Sequence, residues 1–278
     1  MEILDIIKEA FIFPTQNLEK LAIYIVLTFI VSLLIAGGFV FTVLSFMDAS
    51  YLAIIGVILF IVGFVLSFIV SGYQIGVLKT GIDLVDEAPS FDWKNDLITG
   101  IKLLIVSIVY LIIPAIIVFI IGLITNVPGN IANVAKEAAL SPANATAMAN
   151  STGVTLNAVS QSTMSALATS ITITAFVAAV LFIIFAFIQA MGQARLANTG
   201  DLGDALNIPE AAKDITRIGI GKVIAVFLLI FIVIAVITGI LSYISGEIPQ
   251  LSILSIIVTP YLAFFTQRAS GLLYSDIA

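Results

Sequence analysis

The chain has 278 residues, 61% of them apolar and only 10% charged, with a mean hydropathy of +1.22. A soluble domain is about 45–50% apolar and about 25% charged, so these few charges cannot keep a soluble surface wet. The reading is a helical integral membrane protein; soluble, disordered and fibrous classes are excluded. Cysteine and histidine are both absent, which removes disulfides, thiolate nucleophiles, Cys/His zinc sites, His-ligated haem and His-based triads. A net charge of −6 and a pI of about 4.5 argue against nucleic acid and against a polybasic grip on anionic lipid.

At the start, Ile3, Ile6, Ile7, Ala10 and Phe11 recur at helical spacing, with Glu2, Asp5, Lys8 and Glu9 on the other face. The pattern predicts an amphipathic helix ended by Pro14. Met1–Asp5 lacks the basic region of a signal peptide, so the first span is expected to be retained. Stretches free of Lys, Arg, Asp and Glu then run 21–47, 49–78, 103–135, 138–194, 223–246 and 248–267. A helix needs about 20 apolar residues to cross a hydrocarbon core about 30 Å thick. Trimmed to their apolar parts, the stretches predict six transmembrane helices at 21–46, 51–77, 103–125, 171–193, 223–244 and 251–267.

Orientation follows from the basic residues. With both termini cytoplasmic, ten fall inside (Lys8, Lys20, Lys79, Lys94, Lys102, Arg195, Lys213, Arg217, Lys222 and Arg268), and only Lys136 falls outside. The expected location is a cell membrane, crossed several times. The cytoplasmic segments 80–100 and 200–220 also carry apolar residues among charges, including Trp93, and Pro209 stands near a helix start. With the first helix, they predict three interfacial amphipathic helices, each before an outgoing span.

The returning spans end alike, at Gln74 to Thr80-Gly81, Gln193 to Thr199-Gly200 and Gln267 to Ser270-Gly271. Within one integral membrane domain, three tandem units are therefore expected at 1–79, 80–198 and 199–278. Each would be an amphipathic helix followed by an out-and-back pair. Residues 126–170 form an outer segment holding two sequons, at Asn144 and Asn150, on the side where glycosylation occurs.

No charged residue lies inside the trimmed spans, which argues against a proton-coupled or ion-coupled transporter. Their Ser, Thr, Tyr and Gln residues are expected to pair across helices or with their own backbone. Gly63, Ser67 and Ser71 are spaced as a packing seam, as are Ala186, Ala190 and Ala194; Pro114 and Pro260 predict static kinks. Asp83, Asp86, Glu87, Asp92 and Asp96 match no calcium loop, and with Asp201 and Asp204 they read as solvated faces. No nucleophile, oxyanion donor or ligand set stands out, so no catalytic, cofactor or metal residue is assigned and no enzyme is expected.

Gly72-Tyr73, Gly76, the run Asp86 to Trp93, and Gly100 precede an apolar span. Ala194 to Gly200, Leu206, Ile215 and Gly271 to Tyr274 follow later. In these motifs the chain resembles the membrane protein family catalogued as domain of unknown function 4013. The resemblance spans most of the chain apart from the outer segment. It implies a polytopic membrane protein, commonly from methanogenic archaea and some bacteria, with no activity to carry over. The expected role is structural or accessory, with the lipid bilayer and a membrane protein or a second copy as partners. The alternative is a transporter or channel for a neutral small solute.

Overall fold

The structure is a computed structural model that describes residues 1–46, 51–140 and 159–278. Among the described residues it is all helical. The helices are α1 (Ile3–Gln16), α2 (Leu18–Leu44), α3 (Tyr51–Ile82), α4 (Trp93–Ile124), α5 (Val127–Leu140) and α6 (Gln161–Thr199). They continue with α7 (Leu202–Ala205), α8 (Ile208–Ile218), α9 (Ile220–Glu247), a 3₁₀ turn (Pro249–Leu254) and α10 (Ser255–Tyr274). Six of these helices, the last counted together with its 3₁₀ turn, are long and apolar enough to cross a membrane. All six expected spans are present, but the helices outrun them: α4 begins at Trp93 and α6 at Gln161, each ten residues before its apolar core. A helix ends where backbone hydrogen bonding ends, whereas the apolar pattern marks only the part suited to lipid.

Two features of the first hundred residues differ from expectation. Pro14 lies inside α1 rather than ending it. The break comes at Asn17, whose side-chain amide donates to the carbonyls of Phe13 (3.0 Å) and Asp86 (2.9 Å) and accepts from the Ala88 amide at 2.7 Å. No separate amphipathic helix forms in segment 80–100. Asp83–Asp92 is an irregular loop, with Leu84 at φ 54°, and Trp93 already belongs to α4. Pro89 disfavours helix in the residue before it. Asp92 and Asp96 start α4 by a reciprocal cap: the Asn95 amide donates to Asp92 (3.1 Å) and the Asp92 amide to Asp96 (3.0 Å). By contrast the 200–220 segment does hold a separate helix, α8, capped by Asn207 with Pro209 in its first turn.

The described chain forms two compact units, Met1–Ser107 with Phe187–Ala278, and Ile108–Ala186. The smaller unit holds the far part of α4, α5 and the near part of α6. Hydroxyls join its helices: Thr125 to Thr174 at 2.8 Å, and Asn130 to Ser170 at 3.1 Å. Glu137 accepts from Thr163 at 2.5 Å and from the Ser160 amide at 2.8 Å, which hold its carboxyl below the usual range.

The larger unit is built on close backbone approaches. A Cβ on Gly72 would overlap the Asp96 carbonyl, and one on Gly100 the Phe68 carbonyl, so α3 and α4 cross where only glycine fits. Gly81 and Gly271 do the same for α3 and α10, a Gly81 Cβ falling 2.7 Å from the Arg268 carbonyl. Part of the expected seam holds: Gly63 lies against Leu34 and Ile35 of α2. Ser67 and Ser71 belong to a cavity instead.

Candidate functional site: a polar cavity above an aromatic and ionic plug

Within the larger unit, α2 and α3 run antiparallel and α10 runs parallel to α3. Their ends at Leu18, Ile82 and Tyr274 therefore lie together; the Met1 amine pairs with Asp276 nearby at 3.1 Å. This is the terminal end of the unit. Away from it, the three helices line an open-sided cavity of about 590 Å³ whose wall is more apolar than polar. Tyr24, Thr28 and Ser32 face it from α2, Ser67, Ser71 and Gln74 from α3, and Ser255 and Thr259 from α10, with Pro260 beside them. No carboxylate, lysine or arginine lines it. Ser32, Ser255 and Thr259 are exposed, so the cavity is reachable from outside the chain.

Helical geometry explains this convergence. Tyr24, Thr28 and Ser32 are four apart, as are Ser67 and Ser71, while Ser71 and Gln74 are three apart, so each set lies on one face. At the end of the cavity nearer the termini, the Gln74 amide donates to the Tyr24 hydroxyl at 2.5 Å.

Beside this pair, at the neighbouring positions Tyr73 and Phe264, the packing changes. Tyr24, Tyr73 and Phe264 form an aromatic layer with centroids 5.1–5.9 Å apart. Phe13 of α1 lies 6.4 Å from Phe264, and Phe91 of the loop stacks flat on Tyr73 at 3.8 Å. The Tyr73 hydroxyl donates to the Pro89 carbonyl at 2.9 Å.

A further turn brings Arg268, which is fully buried. Its guanidinium donates to the carbonyls of Thr80 (2.7 Å) and Val85 (2.5 Å), and to Glu9 (2.5 Å) and Asp86 (3.3 Å). It also sits over the Phe13 ring at 4.6 Å. A buried charge is tolerated only when paired and hydrogen-bonded, and this one fastens α1, α10 and the Asp83–Asp92 loop together. The sequence pattern used Arg268 only to orient the chain; nothing in a single sequence marks one basic residue of ten as buried.

A second knot lies on the same side of the unit. Asp214 of α8, 1% exposed, accepts from Arg195 at 2.9 Å, Arg217 at 2.8 Å and the Tyr274 hydroxyl at 3.1 Å. Lys222 donates to Asp276 and to the Met1 carbonyl. These acids are structural partners, and no group of three acids suited to a metal occurs among the described residues. The two sequons, Asn144 and Asn150, lie outside the described residues.

The family model described as protein of unknown function, DUF4013, matches residues 55–246. The chain belongs to this family. No curated protein and no solved structure matches it. The matched stretch runs from α3 through nearly all of α9 and includes the outer segment; α1, α2, α10 and the quoted run Gly271–Tyr274 lie beyond it. Several residues within the matched stretch have structural tasks here. Gly72 and Gly100 make the α3–α4 crossing, Tyr73, Pro89 and Phe91 build the aromatic layer, and Asp92 caps α4. The three helices around the cavity thus meet partly inside and partly outside the family match.

Proposed function

We propose that this protein admits a small uncharged polar solute into the cavity between α2, α3 and α10 and passes it across a cell membrane. The cavity carries the reading: side chains from three spanning helices bring hydroxyls and an amide together without any formal charge. An uncharged wall suits an uncharged solute, because an unpaired ion inside the membrane is expensive. The reading assigns no catalytic step, cofactor or metal.

The same reading places both termini in the cytoplasm, so the plug is the inner closure of the cavity. The spans pair in order as α2 with α3, α4 with α6, and α9 with α10. α1 and α8 lie at headgroup level. An accessory role with a membrane partner or a second copy is the other reading. Its support is α6, of whose most apolar stretch only 6% is buried within the chain.

The first test is transport by purified protein in liposomes, read as the rate of swelling under gradients of uncharged solutes. Entry faster than into protein-free liposomes supports passage; identical rates reject it and leave the accessory role. Topology is tested separately, since the chain has no cysteine. Thr216→Cys and Ala139→Cys, both exposed positions, are expected to be protected and labelled, respectively, by an impermeant maleimide in intact cells.

A further inference from the structure

We infer that the solute of this cavity is a polyol, a chain of three to six carbons with a hydroxyl on most of them. The inference rests on the passage reading above and concerns which way the hydrogen bonds of the wall point. A backbone carbonyl can only accept, so a hydroxyl bonded to one must be the donor, and its single proton is then committed.

Five cavity hydroxyls are held in this way. Thr28 donates to the Tyr24 carbonyl at 2.8 Å, Ser32 to Thr28 at 2.8 Å, and Ser67 to Phe64 at 2.6 Å. Ser71 donates to Ser67 at 2.9 Å and Ser255 to Ser252 at 2.6 Å. Each therefore offers the cavity lone pairs. Gln74 commits an amide hydrogen to Tyr24, and its carbonyl oxygen has no protein donor among the described residues. Pro260 has no N–H, so the carbonyl of Ile256, also in the lining, lacks the donor a regular helix would supply. Against these acceptors the wall sets few donors: the Tyr24 hydroxyl proton, the second Gln74 hydrogen and the Thr259 hydroxyl.

This imbalance selects the occupant. A carboxylate only accepts, so it would find few donors in this wall and no cation to balance its charge. A cationic amine would find oxygens but no formal negative charge in the lining to offset its lost hydration. An uncharged solute with many donors satisfies the wall.

Size and shape narrow it further. The cavity of about 590 Å³ is far larger than one urea-sized molecule needs, given that a water takes about 30 Å³ of liquid. Phe29, Val31, Val70, Ile256 and Ala263 give it an apolar side against which the C–H edges of a polyol can pack. The hydroxyls of a polyol can donate to the serine and threonine oxygens and still accept from Tyr24 or Thr259.

The test uses the full chain in liposomes, with glycerol and sorbitol as probes and urea and acetamide as competitors for the reading. Faster polyol entry than into protein-free liposomes is expected. Ser67→Ala with Ser71→Ala, which removes two wall oxygens, should lower that entry at least fivefold. Ser67→Thr with Ser71→Thr, which keeps both oxygens, should retain most of it, so a folding defect in the alanine variant would not decide the matter.

Two results would overturn the inference, and a third would remove the passage reading beneath it. Entry of urea or acetamide without the polyols would leave passage intact and reject the solute class. Undiminished polyol entry in the alanine variant would place the route elsewhere. No entry of any probe would remove the passage reading; binding of labelled sorbitol to the detergent-purified wild type, lost in the alanine variant, would then still uphold the polyol site.

Discussion

The cavity and the plug adjoin on the same three helices, with α1 and the Asp83–Asp92 loop completing the plug, yet they use opposite chemistry. In the cavity, short hydroxyl side chains turn back onto their own helices and leave space between α2, α3 and α10. In the plug, large rings fill that space, and Arg268 binds carbonyls and carboxylates from three separate segments. A hydroxyl bonded within its helix does little to hold helices together; a buried guanidinium with carbonyl and carboxylate partners on other segments does a great deal. Stability is therefore concentrated at the terminal end, and the middle of the helices is left free to receive a guest.

The strongest way to break this division is to force the plug apart. A Cβ on Gly271 would overlap the Leu78 carbonyl, backbone against backbone with no flexible atom to yield. Gly271→Ala is expected to cost at least about 3 kcal/mol, read as a lowered unfolding midpoint in detergent. Gly239→Ala, where an added Cβ meets nothing within 4 Å, is the control and should lose nothing. Equal effects at the two sites would contradict the tight crossing.

Next in size is the ionic layer. Arg268→Met keeps most of the volume but leaves the Thr80 and Val85 carbonyls without this donor, and should cost about 3 kcal/mol. Arg217 is half exposed, and its partner Asp214 keeps Arg195 and Tyr274. Arg217→Met is therefore expected to stay within about 1 kcal/mol. Ser71→Ala, at the cavity, should change stability by less than about 0.5 kcal/mol while slowing solute entry. Were it as destabilising as Arg268→Met, the cavity would have to be counted as part of the packed core.

Much of this fold is legible in the sequence, because charge-free runs of sufficient length have little else to become but spanning helices. The start of α8 was marked by Pro209, which acts locally, and the structure adds the Asn207 cap. The loop at Asp83–Asp92 was not. Leu84 and Phe91, seven apart, would share one face of a helix, but Phe91 is claimed by Tyr73, and Ala88 is pinned by Asn17, a residue 71 positions away. The cavity was missed for a related reason. Ser67 and Ser71 at a four-residue spacing fit a packing seam and a polar wall equally well. Which one they form depends on α10, more than 180 residues later, and on Thr28 and Ser32 facing them from α2.

The smallest expected effect is that of pH, and it separates the two regions cleanly. Burial pushes the Asp276 carboxyl up, but Lys222 and the N-terminal amine outweigh that and hold it below its ordinary value. A lowered native value means that its contribution is complete above the unfolded pKa of about 3.9. It is lost only as the pH falls through the still lower native one. Glu210, beside Lys213 and Arg217, has the same sign. These two groups therefore lower the thermal midpoint only below about pH 4. Asp96, which burial pushes up to about 6, has the opposite sign, so the midpoint should be flat from pH 8 to about 6 and rise slightly as the pH falls from there toward 4. No carboxylate, lysine or arginine lines the cavity, so polyol entry should also be unchanged between pH 5 and 8. A steep change of entry within that range, with no matching change in the midpoint, would mean that an ionising group outside the wall governs access. The plug, where Glu9 and Asp86 meet Arg268, would then be the region to mutate.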